Sequence, residues 1–419
     1  MLVRKKYVAI VCVGVAAALV AGCSSSKKTT TPSSSAAGGA SSGAATGGSS
    51  SSGGGSDKTP IKVGAVLPLS GPLASASVDY QLVIKNLGTK IPNSQTIDGR
   101  PVQMVLRDDA GTATGEASAV RELLDQDKVD FIIGPVYTAQ AQAAMPLSTA
   151  AKKLEIVFTG CPTCGDAKQF PYVFSIESDR PSQMPSTTAA MKAKGVKKVA
   201  ILESDDASGQ AYVDAFNKQA KADGIEVTTT VHFAPNTLDL GTQASQLKAS
   251  GADAVYLASA VPADCANAAK AMKELSFQPY VFGNVAAANP TVVSVAGTDW
   301  LPKWAASGYG KNVTNPNPDS KAVAFRDMIK TVEGVSTMPQ AVDTTVTAYD
   351  AFFMAKAAIE ATHSTDGPTL AKWLEQANYQ GAKATFKFTS TQHNGMTADV
   401  QALVVPGTQV DGFPSRFGS

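Results

Sequence analysis

The chain has 419 residues, of which 44% are hydrophobic, 17% charged and 7% aromatic, and its 36 Lys and Arg nearly balance 35 Asp and Glu for a net charge of +1. That balance leaves no electrostatic footprint for a nucleic acid, and the ordinary hydrophobic fraction excludes a multi-span membrane protein and a wholly disordered chain. The length suits two domains. The mean also hides a split. Residues 1–56 contain no acidic residue and only Arg4, Lys5, Lys6, Lys27 and Lys28 as cations, which leaves −4 on residues 57–419.

The chain opens as an address. Three cations in Met1–Lys6 precede Tyr7–Val20, an apolar run of 14 residues. A helix of that length reaches about 21 Å, short of the hydrocarbon core of a bilayer. Residues 1–22 therefore read as a secretory signal peptide. The string Val20-Ala21-Gly22-Cys23 resembles the lipobox of bacterial lipoproteins, which makes Cys23 the expected lipidation site and mature N-terminus. Residues 23–56, the lipidated Cys followed by Ser, Gly, Ala and Thr almost throughout, have too few apolar side chains to offset the entropy of ordering. They read as a flexible tether with a reach of about 30 Å.

From Ile61 onward strands and helices alternate. Apolar, β-branched runs at Ile61–Leu67, Val102–Leu106, Phe131–Ile133 and Glu155–Phe158 form one series. Lys198–Leu202, Glu226–Phe233, Ala254–Leu257 and Tyr280–Phe282 form a second. Between them lie Ala-rich amphipathic stretches such as Ala117–Leu124 and Ala211–Ala220. This spacing predicts βαβ units, hence two doubly wound α/β lobes with parallel sheets. In such sheets ligands sit beyond the carboxyl ends of the strands. The segments to inspect are therefore Pro68–Pro72 with Ser70, Gly134–Thr138, Thr159–Cys164, Glu203–Gly209, Ala258–Asp264 and Gly283–Ala286. They are rich in Ser, Thr, Gly and Pro and poor in Lys, Arg and His, which suits a small organic molecule better than a polyphosphate or a metal.

These segments carry a likeness. Ile61–Pro72, Ile97-Asp98-Gly99-Arg100-Pro101-Val102, Leu106-Arg107-Asp108-Asp109 and Phe131-Ile132-Ile133-Gly134-Pro135 follow in the order and spacing of the Leu/Ile/Val-binding family of type I periplasmic binding proteins, and the resemblance spans about residues 60–405. It implies two lobes joined by a three-crossover hinge, 57–176 with 309–386 and 177–308 with 387–419, closing on a ligand delivered to an ABC-type membrane permease. By the same resemblance Thr138 meets a ligand carboxylate, with Tyr137 beside it, Cys161 offers its backbone and Thr163 a hydroxyl. Ser208 and Ala260 stand where the family often has Tyr. Val285 stands near the acidic residue that holds an α-ammonium, for which Asp264, Asp205 and Asp343 are candidate replacements. An ammonium buried without a carboxylate is costly. These departures favour a small carboxylic acid, amide or unusual amino acid over plain leucine.

Three cysteines remain in the body. Cys161-Pro162-Thr163-Cys164 is read as a structural disulfide ahead of free thiols or a redox or metal site, and Cys265 as a buried helix residue. His232, His363 and His393 lack ligand spacing, so no metal is expected. Asp205-Asp206 reads as a helix N-cap ahead of a cleft lining. Trp300 and Trp304 read as packing. Ser245-Gln246-Leu247-Lys248 fits an acyl-enzyme pattern by chance, since its companion motifs are missing. No catalytic constellation and no cofactor motif is present. The expectation is a monomeric, lipid-anchored solute-binding protein with a small-molecule ligand and no nucleic-acid partner. A ligand sensor of the same fold is the alternative, and an extracytoplasmic enzyme the more remote one.

Overall fold

The computed structural model describes residues 59–297, 299–314, 316–396 and 401–418. The signal, Cys23 and the tether lie outside the described residues.

Two sheets carry the fold. The first has strand order β2-β3-β1-β4-β5-β6, built from β1 (Ile61–Leu67), β2 (Thr96–Ile97), β3 (Arg100–Asp108), β4 (Phe131–Ile133), β5 (Leu154–Val157) and β6 (Val173–Ser175). All its pairings are parallel except the β2–β3 hairpin. That hairpin turns on Asp98 (φ 50°) and Gly99 (φ 74°), the left-handed pair that a two-residue turn requires. Helices α1 (Val78–Ile84), α2 (Ala113–Glu122) and α3 (Thr138–Ala150) connect the strands.

The chain then enters the second sheet through α4 (Arg180–Ala193) and alternates β7 (Lys198–Ser204), α5 (Ala207–Asp223), β8 (Glu226–Phe233), α6 (Gly241–Ala249), β9 (Ala254–Ala258), α7 (Pro262–Glu274), β10 (Tyr280–Gly283), α8 (Pro290–Ala296) and β11 (Trp304–Tyr309). It returns to the first lobe for α9 (Ser320–Glu333), α10 (Val342–Thr362), α11 (Gly367–Leu374) and the small hairpin β12 (Asn378–Gln380) with β13 (Thr385–Lys387). It ends in the second sheet with β14 (Gln401–Val410) and β15 (Phe413–Arg416), both antiparallel, giving the order β15-β14-β11-β10-β9-β7-β8. The second sheet is thus parallel in its middle and antiparallel at one edge.

Both sheets are covered on two faces, which explains why their strands read as continuous apolar runs rather than alternating ones. Alternate residues of β1 point to different cores: Ala65 packs with α1 and the long buried α10, Val66 with α2 and α3. In the second lobe Ala200 and Leu202 face α6 and α7, while Val199 and Ile201 face α4 and α5. Trp300 and Trp304 meet edge to face at 5.2 Å inside the second core. Phe388 and Met396 pack in the core of the first lobe, beyond β13.

Candidate functional site

The carboxyl ends of the parallel strands in both lobes face one cavity of about 90 Å³. From the first lobe α1 brings Asp79 and Tyr80, the turn after β4 brings Val136 and Tyr137, the turn after β5 brings Phe158 and Thr159, and the start of α10 brings Asp343 and Thr344. From the second come Arg180 and Gln183 of α4, Tyr212 of α5, Ala260 after β9, Asn284, Val285 and Ala286 after β10, and Ser307 of β11. Glu177 and Tyr309, where the chain passes between the sheets, complete the wall.

Close backbone approaches hold these turns in place. A Cβ on Gly160 would lie 2.1 Å from the Ser178 carbonyl oxygen, so the turn after β5 rests against the first passage. One on Gly209 would lie 2.0 Å from the Ser204 carbonyl oxygen, which seats the first turn of α5 on the end of β7. Asp206 caps that helix, accepting from the backbone of Ser208 at 2.7 Å and Gly209 at 2.9 Å, as expected of an N-cap. Asp205 is exposed.

Arg180 is the principal cation of the cavity. It is 7% exposed, its guanidinium lies 4.2 Å from the centre of the Tyr212 ring, and Nη2 donates to the Thr159 hydroxyl at 3.3 Å. Its Nε is buried with no hydrogen-bond partner, and among the described residues no carboxylate pairs with it. A buried guanidinium without an anion is an unfinished interaction. Tyr80 and Phe158 stack at 5.3 Å beside it and give the cavity an apolar wall.

The acids sit opposite in character. Burial pushes Asp79 up to about 6 despite the 2.5 Å hydrogen bond from the Thr344 hydroxyl. Burial pushes Asp343 up to about 7, with Lys383 opposing and the charges of Asp79 and Glu177 adding to the rise. Glu177 is fully engaged. Lys383 and the Tyr309 hydroxyl both donate to it, the Thr347 hydroxyl donates at 3.2 Å, and Lys383 Nζ donates to Thr347 at 2.7 Å. The Asn394 side chain donates to the Glu177 carbonyl at 2.9 Å. The Lys383 side chain is wholly buried. One ionic cluster thereby joins the first two chain passages to the first lobe.

Of the residues singled out from sequence, Tyr137, Ala260 and Val285 line the cavity. Ser208 lines a neighbouring one together with Tyr137 and Ala260. Ser70, Thr138, Cys161 and Thr163 are not among the walls of either. The Ser70 hydroxyl donates to Asp108 at 2.6 Å, and Cys161 is bonded to Cys164. Thr163 Oγ1 lies 3.8 Å from Cys161 Sγ. Thr138, the first residue of α3, keeps a buried hydroxyl with no partner. Asp343 is in the wall, whereas Asp264 is held by the Ser259 hydroxyl at 2.8 Å and the Asn236 backbone at 3.0 Å. Sequence reasoning missed Arg180, Glu177, Tyr80 and Tyr212. The signal for the first two was available, because both follow the three-residue strand β6 just as Tyr137 follows β4. Cys265 is buried, and burial keeps its thiol protonated. The His393 ring lies between two acceptors, the Val173 carbonyl at 2.9 Å from Nδ1 and the Glu375 carboxylate at 3.1 Å from Nε2, and among the described residues no cluster of His, Cys, Asp or Glu could hold a metal.

Two α/β lobes meeting on a partly open, partly polar cavity have the architecture of a small-molecule binding protein. The family model described as periplasmic binding protein matches residues 60–409. A Leu/Ile/Val-binding protein homolog 3 of Brucella melitensis is 26% identical over 314 residues, 73% of this chain and 80% of its own. A leucine-binding protein of Thermotoga maritima superposes with a TM-score of 0.71 at 21% identity, covering 84% of this chain and 97% of that one. A solute-binding protein of an ABC transporter from R. palustris, solved in complex with 4-hydroxybenzoate, gives a TM-score of 0.73 at 20% identity over 85% and 95% of the two chains. The chain belongs to the Leu/Ile/Val-binding type I periplasmic binding protein family. Its place of work is outside the cytoplasm. Among the described residues no helix is long and apolar enough to cross a membrane.

Proposed function

We propose that this protein captures a small organic carboxylate between its lobes and hands it, unchanged, to an ABC-type permease. The observation that carries the ligand class is Arg180, buried with an unpartnered Nε and, among the described residues, no carboxylate in ion-pair contact with it. The stacked Tyr80 and Phe158 offer a face to an apolar or aromatic body. The cavity has room for roughly six to nine water-sized positions, the size of an amino acid or a benzoate. A relative of the same fold is solved with 4-hydroxybenzoate. The unpartnered Thr138 hydroxyl, at the uncapped start of α3, is a second donor for the same carboxylate once the lobes shift around it.

The ligand bridges the lobes and displaces an open–closed balance. We take the lobe limits from the sequence expectation but extend the first lobe to residue 396, since Phe388 and Met396 pack in its core. Cys23 is lipidated and residues 24–56 tether a monomeric body to the membrane surface, near the permease. Ser70, Cys161 and Thr163 shape the rim from outside the cavity.

A second reading is favoured by Asp79 and Asp343. An amino acid could set its ammonium against them, on the side of the first lobe, in place of the acid missing at Val285. Mass spectrometry of the molecule released from the purified, denatured protein tests the proposal. A carboxylic acid recovered intact is the expected result. A ligand without an anionic group, or one altered by the protein, would overturn it.

A further inference from the structure

Beside the polar cavity lies a second one of about 190 Å³, and Tyr137 and Ala260 are walls of both. The rest of its wall is mostly carbon, with Pro72 and Leu73 after β1, Ala139 on α3, and Pro235 and Val261 from the second lobe. Its one carboxyl side chain, Asp206, is spent. One oxygen caps α5 and the other accepts from the Ser204 hydroxyl at 2.6 Å. At the shared wall Tyr137 is 6% exposed and its hydroxyl is buried with no hydrogen-bond partner. A buried phenol normally finds a partner, so the junction between the two spaces is a polar position still to be filled. One side of the junction holds an unpaired cation, and the other holds apolar surface with nothing ionic to offer.

We infer that the two spaces are one binding site for an elongated amphiphilic carboxylic acid. Its head meets Arg180, a polar atom of the ligand passes the Tyr137 hydroxyl, and its tail lies against Leu73, Ala139 and Val261. This assignment rests on the reading of Arg180 as a carboxylate site and adds the length and polarity of the remainder. Burial of a tail in such a chamber strengthens binding about fourfold per methylene.

Calorimetric titration of the purified protein with butanoate, hexanoate, octanoate and decanoate tests it, alongside Ala139→Phe and Leu73→Trp, which fill only the second chamber. Ala139 lies at an exposed position of α3, so its replacement spares the core. The expected result is affinity rising at least tenfold from butanoate to octanoate, with that gain lost in Ala139→Phe and butanoate binding unchanged. Butanoate binding that depends on Arg180, with no gain from longer chains, would overturn the second chamber and leave the carboxylate site standing. A chain-length gain that survives both fillings would also overturn it. Failure of every acid to bind would overturn both readings.

Discussion

Arg180 concentrates the chemistry of the cavity in one side chain, because a guanidinium held against Tyr212 and Thr159 can still offer a bidentate face to a carboxylate. Arg180→Ala should weaken binding of 4-hydroxybenzoate or of the native acid about 10- to 100-fold by calorimetry, the scale of hydrogen bonds to a charged group. Arg180→Lys should restore only part, since an ammonium cannot reproduce the fork. Asp79 and Asp343 then give a pH dependence whose sign separates the two ligand classes. With their carboxyls held up to about 6 and about 7, both ionise as pH rises from 6 to 8. A simple carboxylate should bind more tightly at pH 6 than at pH 8, because protonation removes negative charge from the cavity. A zwitterion whose ammonium faces these acids should bind more weakly at pH 6. Titrating the same protein with a benzoate and with leucine at both pH values reads the difference. The Glu177–Lys383 pair makes a separate prediction at this scale. Removing one partner leaves a buried charge, so Lys383→Met alone should cost about 3–5 kcal/mol in chemical denaturation. Lys383→Met with Glu177→Gln should recover much of that loss.

At the level of elements, the face of the first sheet under α2 and α3 is unusual in burying three acids, Asp109, Glu116 and Glu155. Burial pushes Glu155 of β5 up to about 8, opposed by a hydrogen bond from Ser148 of α3, and burial with the charges of Asp109 and Glu155 raises Glu116 well above the usual range. A carboxyl raised on folding stabilises fully below its unfolded value near 4.5, and that contribution is lost as pH climbs through 8. Glu155→Gln should therefore raise the melting temperature by several degrees at pH 8.5 and change it little at pH 5. A variant equally affected at both pH values would show that packing, not ionisation, decides the site. The same comparison of elements shows what could be read in advance. Ile61–Leu67 and Phe131–Ile133 are strands with those limits, because a parallel strand covered on both faces must be apolar along its length, while Glu226–Phe233 is an edge strand legible from its β-branched Val and Thr residues. β11 escaped notice since Trp304–Tyr309 runs through Ala, Ala, Ser and Gly, small residues that pack fully without looking hydrophobic. β6 is only three residues long. With β6 unseen, the segment after it was never searched, and Arg180 and Glu177 went with it. Tyr137, Ala260 and Val285 were legible because they follow strands that were seen. Asp79 and Tyr80 come from a helix face, which only tertiary packing turns toward the cavity.

For the whole molecule the decisive feature is the repeated passage of chain between the sheets, the first two passages being pinned to each other and to the first lobe by Glu177, Tyr309 and Lys383. Neither lobe is a continuous stretch. The core around β1 and β4 needs Val346, Phe352 and Leu370, more than 200 residues further on, and the second sheet needs β14 and β15 from the end of the chain. A fragment of residues 57–308 should accordingly show no cooperative thermal transition by circular dichroism, and one that melts like the intact protein would contradict this dependence on late segments. The order of synthesis gives this topology a further meaning. A ribosome must release most of the polypeptide before either core can close, so the nascent thread stays open for nearly the whole of translation. A polypeptide bound for the outside of the cytoplasm gains from that delay, because it can be handed to an export channel while still too incomplete to fold.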